Sequence, residues 1–200
     1  MAGEDEVKIW DATLEEIVHQ DWDAVVLQQL STKSADYSTY NPSLRKLIAM
    51  IKRDCLNKSV AMVWQETWSW WKGNPDEGPK EEAGAAAIEE AVLTMMEKDG
   101  IDIIIPSCEA VQMARRMKIS PEKSLTEDGR HIRIGEGRYL LACTWYEALI
   151  APVFGVGVVG NTERHFDGGT IADDIAEKCQ WCAAESVLRW RNRVKREGGQ

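Results

Sequence analysis

The chain has 200 residues, 24 basic and 33 acidic, for a net charge of −9, with 44% apolar and 28% charged residues. This is globular composition on a length sufficient for one sizeable core, which excludes a disordered, collagen-like or coiled-coil chain. The longest apolar stretch, residues 149–160, falls well short of the ~20 residues a membrane span needs, and a field of this sign repels nucleic-acid phosphates.

The first eleven residues are acidic and lack the apolar segment of a signal peptide. With five cysteines, an odd count, they point to a reduced, cytoplasmic protein. Residues 12–20 read as a helix capped by Asp11. Ala24-Val25-Val26-Leu27, Val60-Ala61-Met62-Val63-Trp64 and Ile101-Asp102-Ile103-Ile104-Ile105 are continuously apolar or nearly so. Such runs suit strands buried on both faces of a parallel sheet. Between them, 42–54 places Leu44, Leu47, Ile48 and Ile51 on one helical face, and 81–98 is rich in Ala and Glu, with Gly100 as its stop.

This alternation predicts an α/β protein: a three-layer, flavodoxin-like parallel sheet flanked by helices. Further on, 109–117 reads as a helix, 118–134 as a polar loop and 137–150 as another helix. Residues 171–200 form a C-terminal helix with a basic tail, Arg189, Arg191, Arg193, Lys195 and Arg196, which complements the helix dipole. No repeat interrupts the chain, and 1–200 reads as one domain.

Ligands of open α/β sheets sit at the carboxyl ends of strands. Those ends are Gln28-Gln29-Leu30-Ser31, Gln65-Glu66-Thr67-Trp68 and Pro106-Ser107-Cys108. Asp128-Gly129-Arg130-His131 adds an Asp three residues before a His, a spacing that lets the carboxylate fold back and fix the imidazole tautomer a general base needs. Trp64, Trp68, Trp70 and Trp71 form an aromatic cluster, either core or a wall on which sugar rings stack. Cys179-x-x-Cys182 lacks the second ligand pair of a zinc site, and Gly155-x-Gly157-x-x-Gly160 opens no βαβ unit. No metal or cofactor is expected, and His19 and His165 read as surface residues.

The stretch from Ile103 through Gln112, then Leu125-Thr126-Glu127-Asp128-Gly129-Arg130-His131, then Gly137-Arg138-Tyr139-Leu140-Leu141-Ala142-Cys143-Thr144-Trp145-Tyr146-Glu147, resembles the C-terminal block of SGNH (GDSL-type) hydrolases. It is similar in particular to a branch of gut-type bacteria known as a domain of unknown function. The likeness extends upstream through Trp64-Gln65-Glu66-Thr67-Trp68 to the segment Asp21–Ser31. The resemblance implies a serine esterase acting on a small-molecule or carbohydrate ester, such as an acetylated sugar. His131 would be the general base, Asp128 its orienting acid, Gln28, Gln29 or Ser31 the oxyanion-hole groups, and Trp64 and Trp68 the substrate cleft.

The family's nucleophile turn has no counterpart here, since the first twenty residues contain no serine. Ser31, Ser107 and Cys108 are the local substitutes to test. The expected fold therefore lacks the first strands of the family sheet, activity is expected to be impaired, and Ala24–Leu27 becomes an open edge prone to self-association. The alternative is a non-catalytic binding module with a tryptophan-lined cleft.

Overall fold

The computed structural model describes residues 8–9, 12–120, 125–166 and 168–197. Strand β1 (Lys8–Ile9) pairs antiparallel with β2 (Ala12–Thr13), which leads directly into helix α1 (Leu14–Val18). Then follow β3 (Ala24–Leu27), α2 (Ser43–Asp54), β4 (Ala61–Gln65), α3 (Glu81–Asp99), β5 (Ile103–Ile105) and α4 (Ser107–Arg116). Helix α5 (Glu136–Trp145) continues through a π-helical turn (Tyr146–Ile150) into α6 (Ala151–Phe154). A two-residue hairpin, β6 (His165–Phe166) and β7 (Gly169–Thr170), precedes the 25-residue α7 (Asp173–Glu197).

The three apolar runs form one parallel sheet in the order β3-β4-β5. Ala24 lies opposite Ala61 and Leu27 opposite Trp64, while Val63 faces Ile103 and Gln65 faces Ile105. Side chains alternate between the faces of a strand, and the packing follows that rule. Val25, Leu27, Met62, Trp64 and Ile104 meet Leu44, Ile48 and Ile51 of α2 and Ile88, Val92 and Met95 of α3. Ala24, Val26, Val63, Ile103 and Ile105 share the other layer with Ala148, Leu149 and Val187. A third cluster joins α4 to α5 and α7 through Val111, Ala114, Leu140, Cys179 and Cys182. The result is the expected mixed α/β arrangement, a three-stranded parallel sheet flanked by helices. No helix among the described residues is long and apolar enough to cross a membrane.

Several boundaries differ from the sequence reading, each for a local reason. Helix α1 starts at Leu14, because Thr13 forms a capping box: its hydroxyl accepts the Glu16 N–H at 3.1 Å and its own N–H donates to the Glu16 carboxylate at 2.8 Å. Asp11, the expected cap, lies outside the described residues. Helix α4 starts two residues early, at Ser107. Its N-cap is Pro106, which supplies no side-chain cap, and the Glu66 carboxylate takes the Cys108 N–H at 3.2 Å instead. The helix expected over 137–150 is α5 followed by the π-helical turn. The polar loop 118–134 contains a short antiparallel bridge between Thr126 and Ile132.

The basic residues of α7 are paired within the fold. Arg189 bonds Glu185 at 2.7 Å, Arg193 pairs with Glu89, and Arg191 donates to the Glu147 carbonyl at 3.1 Å. The side chains of Lys195 and Arg196 lie outside the described residues.

Candidate active site

The loop carrying Asp128 and His131 is a small hairpin. The Arg133 N–H donates to the Leu125 carbonyl and the Glu127 N–H to the His131 carbonyl, both at 2.9 Å, which brings its two arms together. Gly129 at the tip has φ +89°, a conformation L side chains rarely adopt. Turned this way, the Asp128 carboxylate points back over the loop. Its Oδ1 accepts the N–H groups of Arg130 at 2.8 Å and His131 at 2.7 Å, and its Oδ2 lies 2.6 Å from the His131 Nδ1.

These contacts hold the Asp128 carboxyl well below the usual carboxylate range, the His131 backbone N–H contributing most and the His131 ring next. A carboxylate at Nδ1 keeps the ring proton on that nitrogen and leaves Nε2 as the basic atom. Both side chains are more than half exposed, so the pair is open to a substrate. The chemistry available is general acid–base catalysis at Nε2. Among the described residues, the ring's hydrogen bonds end at Asp128.

The loop rests on the segment after β4. The Trp68 indole N–H donates to the Arg130 carbonyl at 2.7 Å, the Trp71 backbone N–H to the Gly129 carbonyl at 2.8 Å, and the Asn74 side-chain amide to the Asp128 carbonyl at 3.2 Å. The Arg130 guanidinium lies 4.8 Å from the centre of the Trp70 ring. Trp71 enters the sequence reading only as part of the aromatic cluster, not through its backbone N–H, and Asn74 is not a candidate there. Their contacts span more than fifty residues, and no local pattern encodes them.

The remaining candidates fall elsewhere. Trp64 is 3% exposed and stacks on Tyr40 with ring centres 5.1 Å apart, so it offers no face to a ligand. Trp68 is half-buried beneath the loop and Trp70 fully buried. Gln29 spends its amide on Thr39, at 3.2 Å to the hydroxyl, and its carbonyl on the Leu30 N–H at 2.8 Å. The Ser31 carbonyl receives the Ser34 hydroxyl, and Gln28 is exposed. No hydrogen bond among the described residues joins Gln28, Gln29 or Ser31 to the Asp128–His131 pair.

Neither Ser107 nor Cys108 is accessible. Ser107 is fully buried and accepts the Gln65 amide at 2.8 Å, and burial pushes the Cys108 thiol up. Cys179 and Cys182 are core residues whose thiols are likewise raised by burial, Cys182 to about 11. Gly157 lies against the Glu147 carboxylate, which takes the Val158 N–H, so the glycine pattern serves a tight loop. His165 pairs with Glu163 at 2.9 Å on the surface, and His19 bonds the Asp54 carbonyl. Among the described residues, no cluster of three acidic, histidine or cysteine side chains could hold a metal ion.

Comparison with known proteins adds the family. No curated protein matches the chain. The crystal structure of a DUF4886 family protein from Bacteroides uniformis ATCC 8492, at 1.50 Å resolution, is similar, with a TM-score of 0.77 at 28% identity, over 89% of this chain and 67% of that one. The family model of a domain of unknown function, DUF4886, matches residues 7–183. The chain therefore belongs to the DUF4886 family.

Proposed function

We propose that the chain carries the histidine–aspartate half of an SGNH-type serine esterase site, directed at esters of small molecules or acetylated carbohydrates, with turnover impaired because no serine or cysteine among the described residues is hydrogen-bonded to the His131 ring. The observation that carries this reading is the Asp128 carboxylate, with one oxygen fixed by two backbone N–H groups and the other against the His131 Nδ1. Such a ring is ready to take a hydroxyl proton at Nε2 and return it to the leaving group, while Asp128 stabilises the imidazolium. Support for impairment comes from the burial of Ser107 and Cys108, the local substitutes after β5. The alternative of a binding module has little of its tryptophan cleft to draw on, since Trp64 and Trp70 are buried.

Hydrolysis of p-nitrophenyl acetate by wild type, His131→Ala and Asp128→Asn tests the reading. The expected result is slow turnover that falls about tenfold or more in His131→Ala. Treatment with a fluorophosphonate, read by intact mass, reports whether a serine of the chain serves as nucleophile, and peptide mapping of an adduct lost in His131→Ala would name it. Ester turnover indifferent to both substitutions, in folded protein, would overturn the proposal.

A further inference from the structure

The tryptophan-rich segment after β4 has a role beyond packing. We infer that Trp68 and Asn74, with the backbone of Trp71, are positioning groups that set the geometry of the Asp128–His131 pair. The catalytic meaning of this rests on the esterase reading above, but the positioning itself does not.

In a trans peptide the C=O of one residue and the N–H of the next point in opposite directions. The Gly129 carbonyl is held from below by the Trp71 N–H at 2.8 Å, and the N–H of that same peptide, on Arg130, points up to the Asp128 Oδ1 at 2.8 Å. The next peptide repeats the arrangement. Its Arg130 carbonyl takes the Trp68 indole N–H at 2.7 Å, and its His131 N–H reaches the same Oδ1 at 2.7 Å. The Asn74 amide holds the carbonyl of Asp128 itself. Three consecutive carbonyls are thus fixed from outside the loop. The two N–H groups that face the other way converge on one carboxylate oxygen and leave its partner oxygen to the imidazole.

A positioning platform must be stiffer than what it positions. Trp70 exchanges backbone hydrogen bonds with the far end of its own loop, donating to Pro79 at 2.6 Å and accepting from Glu81 at 2.9 Å. The Ser69 hydroxyl, fully buried, accepts from Gln112 at 3.0 Å and Arg115 at 2.9 Å, which ties the segment to α4. Side chains at Gly73 and Gly78 would collide with the rings of Trp71 and Trp70. On the loop side, a Cβ at Gly129 would stand 3.3 Å from both Asn74 and Trp71, closer than ordinary contact, and the φ of +89° there also favours glycine. The depressed Asp128 carboxyl is consistent with donors held in place.

The experiment is nitrogen-15 NMR of the histidine rings together with the carbon-13 titration of the Asp128 carboxyl, in wild type, Trp68→Phe and Asn74→Ala. Trp68→Phe removes the indole donor but keeps an aromatic ring, and Asn74→Ala is a second route should the first variant not fold. The expected result is a His131 ring with its proton on Nδ1 in wild type, mixed tautomers in the variants, and an Asp128 titration that moves up toward the ordinary carboxylate range. Where p-nitrophenyl acetate is turned over, kcat should fall about tenfold per lost hydrogen bond with KM unchanged. Wild-type tautomer and wild-type Asp128 titration in the folded variants would overturn the inference. Ester turnover indifferent to His131, alongside altered tautomers, would instead sink the esterase reading and leave the positioning role standing.

Discussion

Glu66 sits at the carboxyl end of the central strand, 1% exposed, with Oε2 on the Cys108 N–H and no hydrogen-bond partner for Oε1. It lines a cavity of about 290 Å³ between α3, α4 and α7, which it shares with Glu82, Glu89, Glu109, Arg116 and Trp190. Burial raises its carboxyl well above the ordinary range, nearby Glu89 and Glu109 add to this, and the Cys108 N–H and Arg193 oppose it. A carboxyl whose folded pKa lies above its unfolded one takes up its proton more readily in the native state. Its contribution to stability is complete below the unfolded value and is lost as pH rises through the folded value. Glu66→Gln keeps an acceptor for the Cys108 N–H and removes the titration. The variant should match wild type in thermal melts near pH 4 and exceed it by a few degrees near pH 8. An equal difference at both pH values would mean that ionisation at Glu66 is not the cause.

At the scale of elements, helix α4 and the segment after β4 are joined by side chains rather than by sequence neighbours. The buried Ser69 hydroxyl receives both Gln112 and Arg115, and Gln112 donates also to the Glu81 carbonyl at 2.9 Å. Ser69→Ala would leave buried donors short of an acceptor, at a cost of about 1–3 kcal/mol. Urea denaturation should show the midpoint moving down at constant m-value, and an unchanged midpoint would remove Ser69 from the account. The same contrast explains what the sequence disclosed. Strands β3, β4 and β5 could be read from continuous apolar runs, α2 from its helical spacing and α3 from its Ala- and Glu-rich composition with Gly100 as a stop, because these signals lie within each element's own residues. The contact between Asp128 and His131 could be read because it spans three residues around Gly129, whereas the groups of the segment after β4 that hold the loop in place lie far away in sequence. Trp64 could not be separated from Trp68 on the same basis. They stand four residues apart, but one points into the core under Tyr40 and the other reaches across to Arg130. The cap of α4 also comes from another strand, and no window around Pro106 contains Glu66.

For the molecule as a whole, the open question is the outer side of β3, which no strand among the described residues covers. The Asp23 carbonyl accepts the Ala61 N–H at 2.9 Å, and parallel ladders bond alternate residues, so the N–H groups of Ala24 and Val26 face outward. The strand carries no charge, proline or bulge to discourage pairing. Beside it, Leu149 belongs to the same cluster as Ala24 and Val26 and also lines a shallow apolar groove with Leu141, Trp145, Tyr146 and Ile150. Val153 and Phe154 continue this apolar surface along α6, both more than 70% exposed. The edge and groove together are expected to pair with a second copy of the chain. The net charge of −9 opposes that pairing at long range, and salt screens the repulsion. Sedimentation velocity should therefore show association that grows with protein concentration and is stronger in ~0.5 M salt than in ~0.05 M, where the Debye length is longer. Val26→Pro removes one outward N–H and leaves the bonds to β4 in place, since edge strands tolerate proline on the unpaired side. It should shift the population toward monomer. Monomer at every concentration and salt, in wild type, would show that this edge does not recruit a second copy.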